Sequence, residues 1–446
     1  MTTLIIKNIG PVKDAELNLN KVNVLMGPQS CGKSTIAKII SYCTWLEKDV
    51  SIYQSLEKYN KNNGFFKEKL ENFYNLKGYF NINSFIAYKS EVVSFEYKSG
   101  QFFIRWEEFR YSYKRSKISY IPSERNIMIL PELKKIALSN NNIRSFLFDW
   151  FDASNNYTKP EELIDIDASP VTKMVDDNSL NILNLGVSFY YDSNNNENHI
   201  IGKDGFEEYD ILLSNASSGL QSIVPLMALA DYLTFRYYNI EEQISFEQKE
   251  KRKNVIQNII YEVIYKHYFA LDNMPENGEM KTYNDIFTSK IDEDINAKML
   301  WDKYNEVVSN IFSTHSSHFI IEEPEQNLFP ETQRDLIYYL LEKCQDKDRD
   351  HHLTITTHSP YILYAINNCM MGGLVYNKME DDSRAEISCK HALIEPGKVS
   401  IYQIDNGVLK TIQEKDGIIG SNYFDQKMKE LMDDFYVFLK YYGDEN

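Results

Sequence analysis

Short apolar runs followed by helical spacing recur along the chain and predict strands that lead into helices. Residues 22–26, VNVLM, are typical of a buried strand, and apolar residues then recur at i, i+3, i+4 and i+7 from Ile36 to Cys43. Residues 319–321 and the apolar positions between Ile337 and Cys344 repeat this order. In LTITT, residues 353–357, apolar residues alternate with Thr, as in a β-strand. We expect these strands to belong to one parallel sheet.

Alternating stretches before residue 120 predict an antiparallel layer beside that sheet. In VVSFEYKSGQFFIRW, Lys98-Ser-Gly100 forms a hairpin turn between two β-rich runs. Residues 125–205 mix helical and polar segments, and the Asn-rich YDSNNNENH is expected as an exposed loop. After residue 358 we expect strands at GGLVYNK and KVSIYQID and a helix from about Tyr423 to Leu439. The predicted fold class is α/β, with a central mixed sheet, an antiparallel β layer and a helical second lobe.

These elements divide the chain into four predicted parts. They are an N-terminal lobe at 1–125, a second lobe at 126–237, a charged helical insertion at 238–316 and a C-terminal part at 317–446. The 446 residues exceed the roughly 250–300 at which a single core stops growing, so more than one lobe is expected. The insertion suits a partner's docking site and a lid over the core equally well. No long heptad run is found, which argues against a long coiled-coil arm.

Composition and charge narrow the function classes. Hydrophobic residues make up 43% and charged residues 25%, ordinary values for a globular protein. No apolar run approaches the roughly 20 residues of a membrane span, and no basic segment precedes an apolar one at the N-terminus, so no membrane segment is expected. The 5 scattered cysteines form no CxxC pair, which favours a reducing cytoplasm. The net charge of −17 opposes nonspecific nucleic-acid binding.

A phosphate-binding pattern lies between the first predicted strand and its helix. Gly27-Pro28-Gln29-Ser30-Cys31-Gly32-Lys33-Ser34 matches G-x-x-x-x-G-K-[ST], and Thr35 follows in the helix. In such a loop the backbone N–H groups converge on a polyphosphate at a helix N-terminus, and glycine permits close approach. Lys33 would reach the β and γ phosphates, and the Ser34 hydroxyl would bind Mg²⁺. A glycine-rich turn that merely caps a helix is the alternative.

Two acids and a histidine stand at the ends of the other predicted strands. Glu322 and Glu323 follow residues 319–321, where burying carboxylates costs free energy unless a cation or a reaction uses them. Glu322 would hold Mg²⁺ through water, and Glu323 would orient and deprotonate an attacking water. His358, after the strand at 353–357, would hydrogen-bond the γ-phosphate. Taken singly, these residues are better explained as a helix start and a core histidine, but together with the glycine-rich loop they predict one crevice.

A second candidate anion site begins the helix near residue 218. Ser218 is expected as the N-cap, with Gly219 just inside the helix. Because Lys33 already serves the phosphates of its own copy, this helix start would clamp a γ-phosphate held by another copy. A plain serine cap is the alternative.

The set GPQSCGKS, SSGLQ, IIEEPE and TTHSP, in this order, resembles the ABC-type ATPase domains of the RecF/SMC/OLD branch. Within it, the chain looks most like the compact bacterial ATPases that accompany nucleases in anti-phage systems such as Septu-type defence. The resemblance implies a P-loop fold that binds ATP and Mg²⁺, hydrolyses ATP, and forms a homodimer with ATP sandwiched between copies, gating a partner nuclease or effector. It places Ser218, Gly219 and Gln221 in the signature loop, His358 at the switch histidine, and residues 325–328 in a loop that touches the opposite copy.

The chain departs from this family pattern at three places. The signature reads SSGLQ rather than LSGGQ, and the magnesium-binding acid is Glu322 rather than Asp. Where a glutamine loop would stand, the sequence has ISYIPSERN. Ser123, Glu124 or Arg125 would there sense magnesium or the lobe interface. An equally good interpretation is that IPSER, residues 121–125, is only a turn that leaves the sheet.

Other functions compete with the nucleotide switch. Residues 105–125 concentrate basic residues and tyrosine and are the best local candidate for a nucleic-acid contact, although a solvated strand face is the commoner explanation. A self-contained nuclease is a second possibility, for which the residues after His358 offer no dense acidic cluster. A transporter motor is a third, and the missing glutamine loop, the divergent signature and the long insertion count against it.

Overall fold

The computed structural model describes residues 2–129, 141–158, 178–202, 209–239, 246–265 and 295–442. Parts of the predicted second lobe and of the predicted insertion therefore lie outside the described residues. The strands are β1 (Thr2–Ile9), β2 (Val12–Leu19), β3 (Val22–Met26), β4 (Phe80–Lys89), β5 (Val93–Lys98), β6 (Gln101–Trp106), β7 (Ser116–Ile121), β8 (Leu180–Asn181), β9 (Val187–Asp192), β10 (Glu197–Gly202), β11 (Asp210–Leu212), β12 (Ser316–Glu322), β13 (His352–Thr357), β14 (Val399–Asp405) and β15 (Val408–Thr411). The helices are α1 (Lys33–Tyr53), α2 (Glu57–Asn60), α3 (Phe65–Tyr74), α4 (Asn141–Ser154), α5 (Ser218–Asp231), α6 (Phe246–Ile259), α7 (Ile295–Phe312), α8 (Pro330–Cys344), α9 (Pro360–Val375), α10 (Asp381–Glu386) and α11 (Tyr423–Tyr442).

Five neighbouring strands of the large sheet run parallel, in the order β14-β3-β13-β12-β7. The register pairs Met26 with Thr357 across β3 and β13, and Glu322 with Thr356 across β12 and β13. The carboxyl ends of these three strands therefore lie side by side. The prediction of one parallel sheet containing them is confirmed.

An antiparallel layer, β6-β5-β4-β1-β2, continues the same sheet. It joins the parallel strands through β15, which pairs with β2 at Val408 and Asp14 and with β14 along its length. The predicted hairpin is confirmed, because Lys98 pairs with Gln101 and the residues between them, Ser99 and Gly100, have φ of 50° and 81°. Such positive φ angles match the twist of two-residue hairpin turns.

Both faces of the central strands are buried. Val24 and Ile321 face a core that includes α5, α8 and α9, whereas Leu25 and Ile320 face a second core with α1 and α3. A sheet covered on both sides needs apolar residues at successive positions, which explains the nearly continuous apolar runs that marked these strands in the sequence.

The predicted strand at GGLVYNK is wrong. Residues 372–375 end α9, and Tyr376–Lys378 form a 3₁₀ turn. The two glycines allow the segment after α10 to lie against the helix, since a Cβ on Gly372 would collide with Leu393 and one on Gly373 with the carbonyl of Ile394. By contrast, the strand at KVSIYQID is confirmed as β14.

The second lobe contains a small sheet that the sequence pattern did not predict. Beside α4, the strands β8 to β11 form a four-stranded antiparallel sheet in the order β11-β10-β9-β8. The middle of the Asn-rich stretch is the turn between β9 and β10, and residues 193–197 are exposed as predicted. The ends of the predicted loop are wrong, because Tyr191 and Asp192 belong to β9 and residues 197–199 to β10.

Helices α6 and α7 account for most of the described residues in the region predicted as an insertion. α6 and α7 pack together through Val255, Ile259 and Val307, which are all buried. The C-terminal helix is also confirmed, and it runs as α11 to Tyr442.

Candidate functional site

The loop between β3 and α1 has an unusual backbone. Gly27, Ser30 and Gly32 have φ of 150°, 59° and 111°. A Cβ on Gly32 would lie 2.7 Å from Cγ2 of Val12, and one on Gly27 would collide with the carbonyl oxygen of Ile404. Glycine is therefore required at both positions by conformation and by space. The loop delivers the chain to Lys33, the first residue of α1, so the free N–H groups of that helix open onto it.

The other loop residues differ in exposure. Gln29 and Ser30 are exposed, and Pro28 and Ser34 are half-buried. Cys31 and Thr35 are buried, at 8% and 6% exposure. The Cys31 sulfur lies 3.8 Å from Nζ of Lys33, so the thiol is inside the loop rather than on its outer surface.

The Lys33 ammonium is enclosed by acceptors. Its Nζ donates to the carbonyl oxygens of Gly27 at 2.9 Å and Pro28 at 2.8 Å, and it lies 3.3 Å from Nδ1 of His358. The residue is 4% exposed, and burial lowers the pKa of the ammonium. Each of its three N–H groups thus has an acceptor in the crevice.

His358 connects Lys33 to Glu323. Because an ammonium can only donate, Nδ1 of His358 accepts, which leaves the proton on Nε2. Nε2 lies 3.3 Å from Oε1 of Glu323. This contact is the largest cause that lowers the pKa of Glu323, with Lys33 and Arg125 acting in the same direction against the effect of burial. The carboxylate of Glu323 is therefore ionised at neutral pH.

Glu323 also adopts a strained backbone conformation. Its φ is 45°, in the left-handed region, and its N–H donates to the carbonyl of Thr356 at 2.9 Å. A residue with a side chain in this region costs on the order of 1–3 kcal/mol, and such strain concentrates at functional sites. The turn directs Glu323 toward His358 instead of continuing the alternation of β12.

Glu322 has the properties expected of a Mg²⁺ ligand. It is 3% exposed, and its Oε2 accepts the N–H of Ser123 at 3.4 Å. The buried Oε1 has no partner in hydrogen-bonding geometry. The buried Tyr120 hydroxyl interacts with the same carboxylate, and burial and this carboxylate raise the pKa of the tyrosine. A buried carboxylate oxygen without a partner is costly unless a cation offsets it. Mg²⁺ uses oxygen ligands and takes few of them from protein, and the half-buried Ser34 hydroxyl in the first turn of α1 is a second donor of that type. Among the described residues, no group of three or more His, Cys, Asp or Glu side chains is suited to a metal.

Arg125 ties the IPSER turn to the site. It is fully buried, and its guanidinium donates to the carbonyls of Glu322 at 2.9 Å, Glu323 at 2.8 Å and Ser222 of α5 at 3.1 Å. Burial lowers its pKa to about 10. These contacts join the carboxyl end of β12 to α5 through Arg125.

The N-terminus of α5 differs in detail from the prediction. The N-cap is Ser217, whose Oγ accepts the N–H of Leu220 at 3.4 Å, and Ser218 is the first helical residue. The predicted cap at Ser218 is therefore wrong by one position, because adjacent serines cannot be distinguished by type. Nε2 of Gln221 donates to the carbonyls of Ser214 at 2.8 Å and Ala216 at 3.0 Å, which organises the preceding loop.

Gly219 connects this helix start to residues 325–328. A Cβ on Gly219 would lie 2.9 Å from the carbonyl oxygen of Asn327. In the same loop, Oε1 of Glu325 accepts the backbone N–H of His358 at 2.6 Å and the hydroxyl of Thr357 at 2.9 Å. The loop thus touches both the histidine and the signature helix. In the sequence, only the family resemblance predicted a role for the loop at residues 325–328. Contacts between a carboxylate and the backbone produce no recognisable spacing of residues.

The basic stretch at 105–125 is largely used within the protein. Lys117 forms an ion pair with Asp149 at 2.6 Å, Arg110 donates to Gln54, and Arg115 donates to the carbonyl of Phe312. Arg105 and Lys114 are exposed, and they are too few to make a basic surface.

The described helices include none that combines the length and apolar character needed to cross a bilayer.

No protein-family model matches the sequence, and no curated protein matches it. Among solved structures, the chain is similar to the SMC head domain from Thermotoga maritima, at 11% identity over 93% of this chain and 98% of that chain, with a TM-score of 0.35. It is also similar to the recombination mediator protein RecF bound to ATPrS, at 10% identity over 92% and 97%, with a TM-score of 0.29. A dimeric ATP-binding cassette bound to ADP and Pi matches at 10% identity over 92% and 99%, with a TM-score of 0.23. With TM-scores below 0.5, these similarities say nothing of the activity of this chain.

Proposed function

We propose that this chain binds ATP with Mg²⁺ and hydrolyses it, and that ATP joins two copies into a dimer. The dimer would regulate a partner nuclease or another effector, in phage defence or DNA metabolism. The observation that carries the proposal is the chain of contacts from Lys33 through His358 to Glu323. These residues follow three adjacent parallel strands, the place where open α/β sheets bind ligands. The long insertion at 238–316 is the proposed docking region for the effector.

The residues have separable roles in this proposal. The α1 N-terminus and Lys33 bind the phosphates, whose oxygens would replace the loop carbonyls as acceptors for Nζ. Glu323, ionised at neutral pH, accepts a hydrogen bond from the attacking water and orients it toward the γ-phosphate. His358 donates from Nε2 within the same crevice. Glu322 and Ser34 would hold Mg²⁺, which would neutralise phosphate charge.

The dimer would complete each site. Ser218, Gly219 and Gln221 lie at the start of α5, where a helix N-terminus suits an anion carried by a second copy. The contacts of residues 325–328 support a route for the signal, since that loop meets His358 through Glu325 and lies against Gly219 at Asn327. A γ-phosphate that moves His358 would thereby alter the edge offered to the other copy.

The test combines hydrolysis with size. Lys33→Ala is expected to abolish nucleotide binding and hydrolysis, whereas Lys38→Ala, one turn further along α1, retains both. Glu323→Gln is expected to bind ATP without hydrolysing it. A Glu323→Gln chain that also carries Phe435→Glu, which changes an exposed apolar residue of α11, is expected to sediment as a dimer with ATP and as a monomer with ADP. Hydrolysis by purified Lys33→Ala would contradict the assigned site. A protein with Glu323→Gln and Phe435→Glu whose size is the same with ATP and ADP would contradict the nucleotide-driven dimer.

A further inference from the structure

The C-terminal helix α11 is attached to the body at its first turn. The N–H of Tyr423 donates to Oε1 of Gln403 at 3.0 Å, and the hydroxyl of Tyr364 donates to Asp425. Tyr423 and Phe424 pack against the core. From Asp425 to Tyr442, every residue is exposed. At about 1.5 Å per residue, this stretch extends on the order of 25 Å beyond its attachment.

The exposed helix carries an apolar seam. Large apolar residues occur at intervals of four, three, four, three and four, which are the a and d positions of a coiled coil. They are Phe424, Met428, Leu431, Phe435, Phe438 and Tyr442. Phe438 is 72% exposed and Leu431 is 66% exposed. Because a helix of this length gains most of its stability from packing an apolar face, this seam requires a partner surface.

We propose that α11 pairs with α11 of a second copy of this chain in a short parallel coiled coil that forms without nucleotide. A seam with a 3.5-residue repeat fits another helix of the same repeat, and each copy supplies one. The interface is separate from the nucleotide-dependent contact at α5. It therefore stands or falls independently of the proposed ATPase activity.

The exposed apolar area is sufficient for a stable dimer. An aromatic side chain buries about 150–250 Å² when fully covered. The seam, widened by the neighbouring Met432 and Leu439, exposes roughly half of that at each position, on the order of 700 Å² per copy. Two copies would cover about 1,400 Å², within the roughly 1,200–2,000 Å² of specific protein interfaces.

Charges beside the seam favour the parallel orientation. With Met428 at a, Lys427 and Asp434 occupy g positions, and Met432 and Leu439 occupy e positions. In a parallel pair, Asp434 faces Leu439 of the other copy and Lys427 faces Met432. In the antiparallel pair that aligns the seams, Asp434 faces Asp434, a like-charge contact. The parallel pair has a two-fold axis along the coil, which places both bodies at the same end.

Sedimentation of the nucleotide-free full chain tests the proposal. Wild type and Lys33→Ala are expected to be dimers at micromolar concentration, and Phe435→Glu a monomer. Gln426→Glu adds the same charge at an f position away from the seam and is expected to remain a dimer. Since Phe435 is exposed and touches no core, the thermal midpoint of the body should be the same in both variants. A monomeric wild type overturns the proposal and would mean that the seam binds a different protein. A dimeric Phe435→Glu variant also overturns it.

Cross-linking tests the orientation. All five native cysteines are buried, so Tyr442→Cys introduces an accessible thiol at the end of the seam. In a parallel pair the two new thiols lie together, and a short bismaleimide is expected to join the copies in high yield. In an antiparallel pair they lie about 30 Å apart, the length of a 20-residue helix. A dimer that resists this cross-link would overturn the parallel arrangement.

Discussion

Nε2 of His358 lies 3.3 Å from Oε1 of Glu323, and this contact does most to hold the pKa of the Glu323 carboxyl below its ordinary value of 4.5. A depressed carboxyl pKa means that the ionised form persists to lower pH. The same histidine faces Lys33 through its other ring nitrogen. The protonation state of Glu323 is therefore coupled to the residue proposed to contact the phosphates.

Removal of the imidazole should move the acid limb of the pH profile. In His358→Ala the pKa of Glu323 rises, so protonation inactivates the enzyme at higher pH than in wild type. The rate at neutral pH should fall by roughly 100-fold or more, the usual effect of losing a group in the proton network. His391→Ala, at an exposed position, is the control and should leave the profile unchanged. The measurement is kcat/KM for ATP from about pH 3.5 to 8, because the pKa of Glu323 lies below 4.5 in wild type, and an unmoved acid limb would contradict the coupling.

Glu322→Gln should separate stability from activity. The substitution removes a buried negative charge whose Oε1 has no partner, so without magnesium the free energy of unfolding should rise by about 1–2 kcal/mol. The same variant should lose Mg²⁺-dependent ATP hydrolysis, because the amide oxygen binds the cation weakly. Urea unfolding in EDTA measures the first effect and magnesium titration of the ATPase rate the second. Destabilisation in EDTA would show that Oε1 is already satisfied within the fold.

Loss of Arg125 should destabilise the protein strongly. Arg125→Met keeps much of the volume but leaves the carbonyls of Ser222, Glu322 and Glu323 without the guanidinium donor. The carbonyl of Glu323 keeps the N–H of Gln326 as a donor, so the loss is not a full desolvation cost at every carbonyl. Hydrogen bonds from a charged donor contribute about 1.5–3 kcal/mol each, and a total loss on the order of 3 kcal/mol is expected. Arg105→Met, at a side chain that is 76% exposed, should change the free energy of unfolding little. Comparable urea midpoints for the two variants would refute the bridging role of Arg125.

The crevice was predictable because its residues directly follow apolar strands. Once β3, β12 and β13 are parallel neighbours, Lys33, Glu322, Glu323 and His358 must meet at one edge of the sheet. The order of strands in the sheet was harder to predict, because β14 pairs with β3 although almost four hundred residues separate the two strands in the chain. Such pairing depends on packing between distant segments, which leaves no local spacing pattern.

The contacts of residues that bind backbone groups could not be predicted from the sequence. Arg125 donates hydrogen bonds to backbone carbonyls. Because every residue has a carbonyl, no sequence pattern identifies these partners, and Arg125 was a candidate only as part of the IPSER stretch. The strand predicted at 372–378 failed for a related reason, because the contact of Gly372 with Leu393 outweighs the β-propensity of the valine and tyrosine that follow. For α11 the sequence analysis predicted the helix but not the seam, although the seam follows a regular spacing of six apolar residues.

Acid should destabilise the fold through His318. Burial lowers the pKa of this β12 histidine to about 3, and His352, with ring centroids 5.6 Å apart, acts in the same direction. The unfolded chain, with an ordinary pKa of 6.5, binds one more proton between those values. The free energy of unfolding should therefore fall as pH drops below 6.5, by up to about 1.4 kcal/mol per pH unit from this residue. In His318→Gln, urea unfolding at pH 7 and 5.5 should show an average slope smaller by roughly 0.6 of a proton, because the unfolded imidazole is only partly protonated above pH 6, and an equal slope would exclude this residue as the source.

Gly219→Ala should disturb the edge at which the signature helix meets residues 325–328. The added Cβ would lie 2.9 Å from the carbonyl oxygen of Asn327, closer than ordinary contact, so the loop or the helix must shift. Because Glu325 in that loop holds the backbone of His358, the expected result is a lower kcat with nucleotide affinity within about twofold of wild type, since Lys33 and its loop are untouched. Gly397→Ala is the matched control, with no atom within 4 Å of the new Cβ. Steady-state kinetics and ATP titration of both variants provide the measurement, and equal kcat values would mean that the Gly219 contact has no part in the reaction.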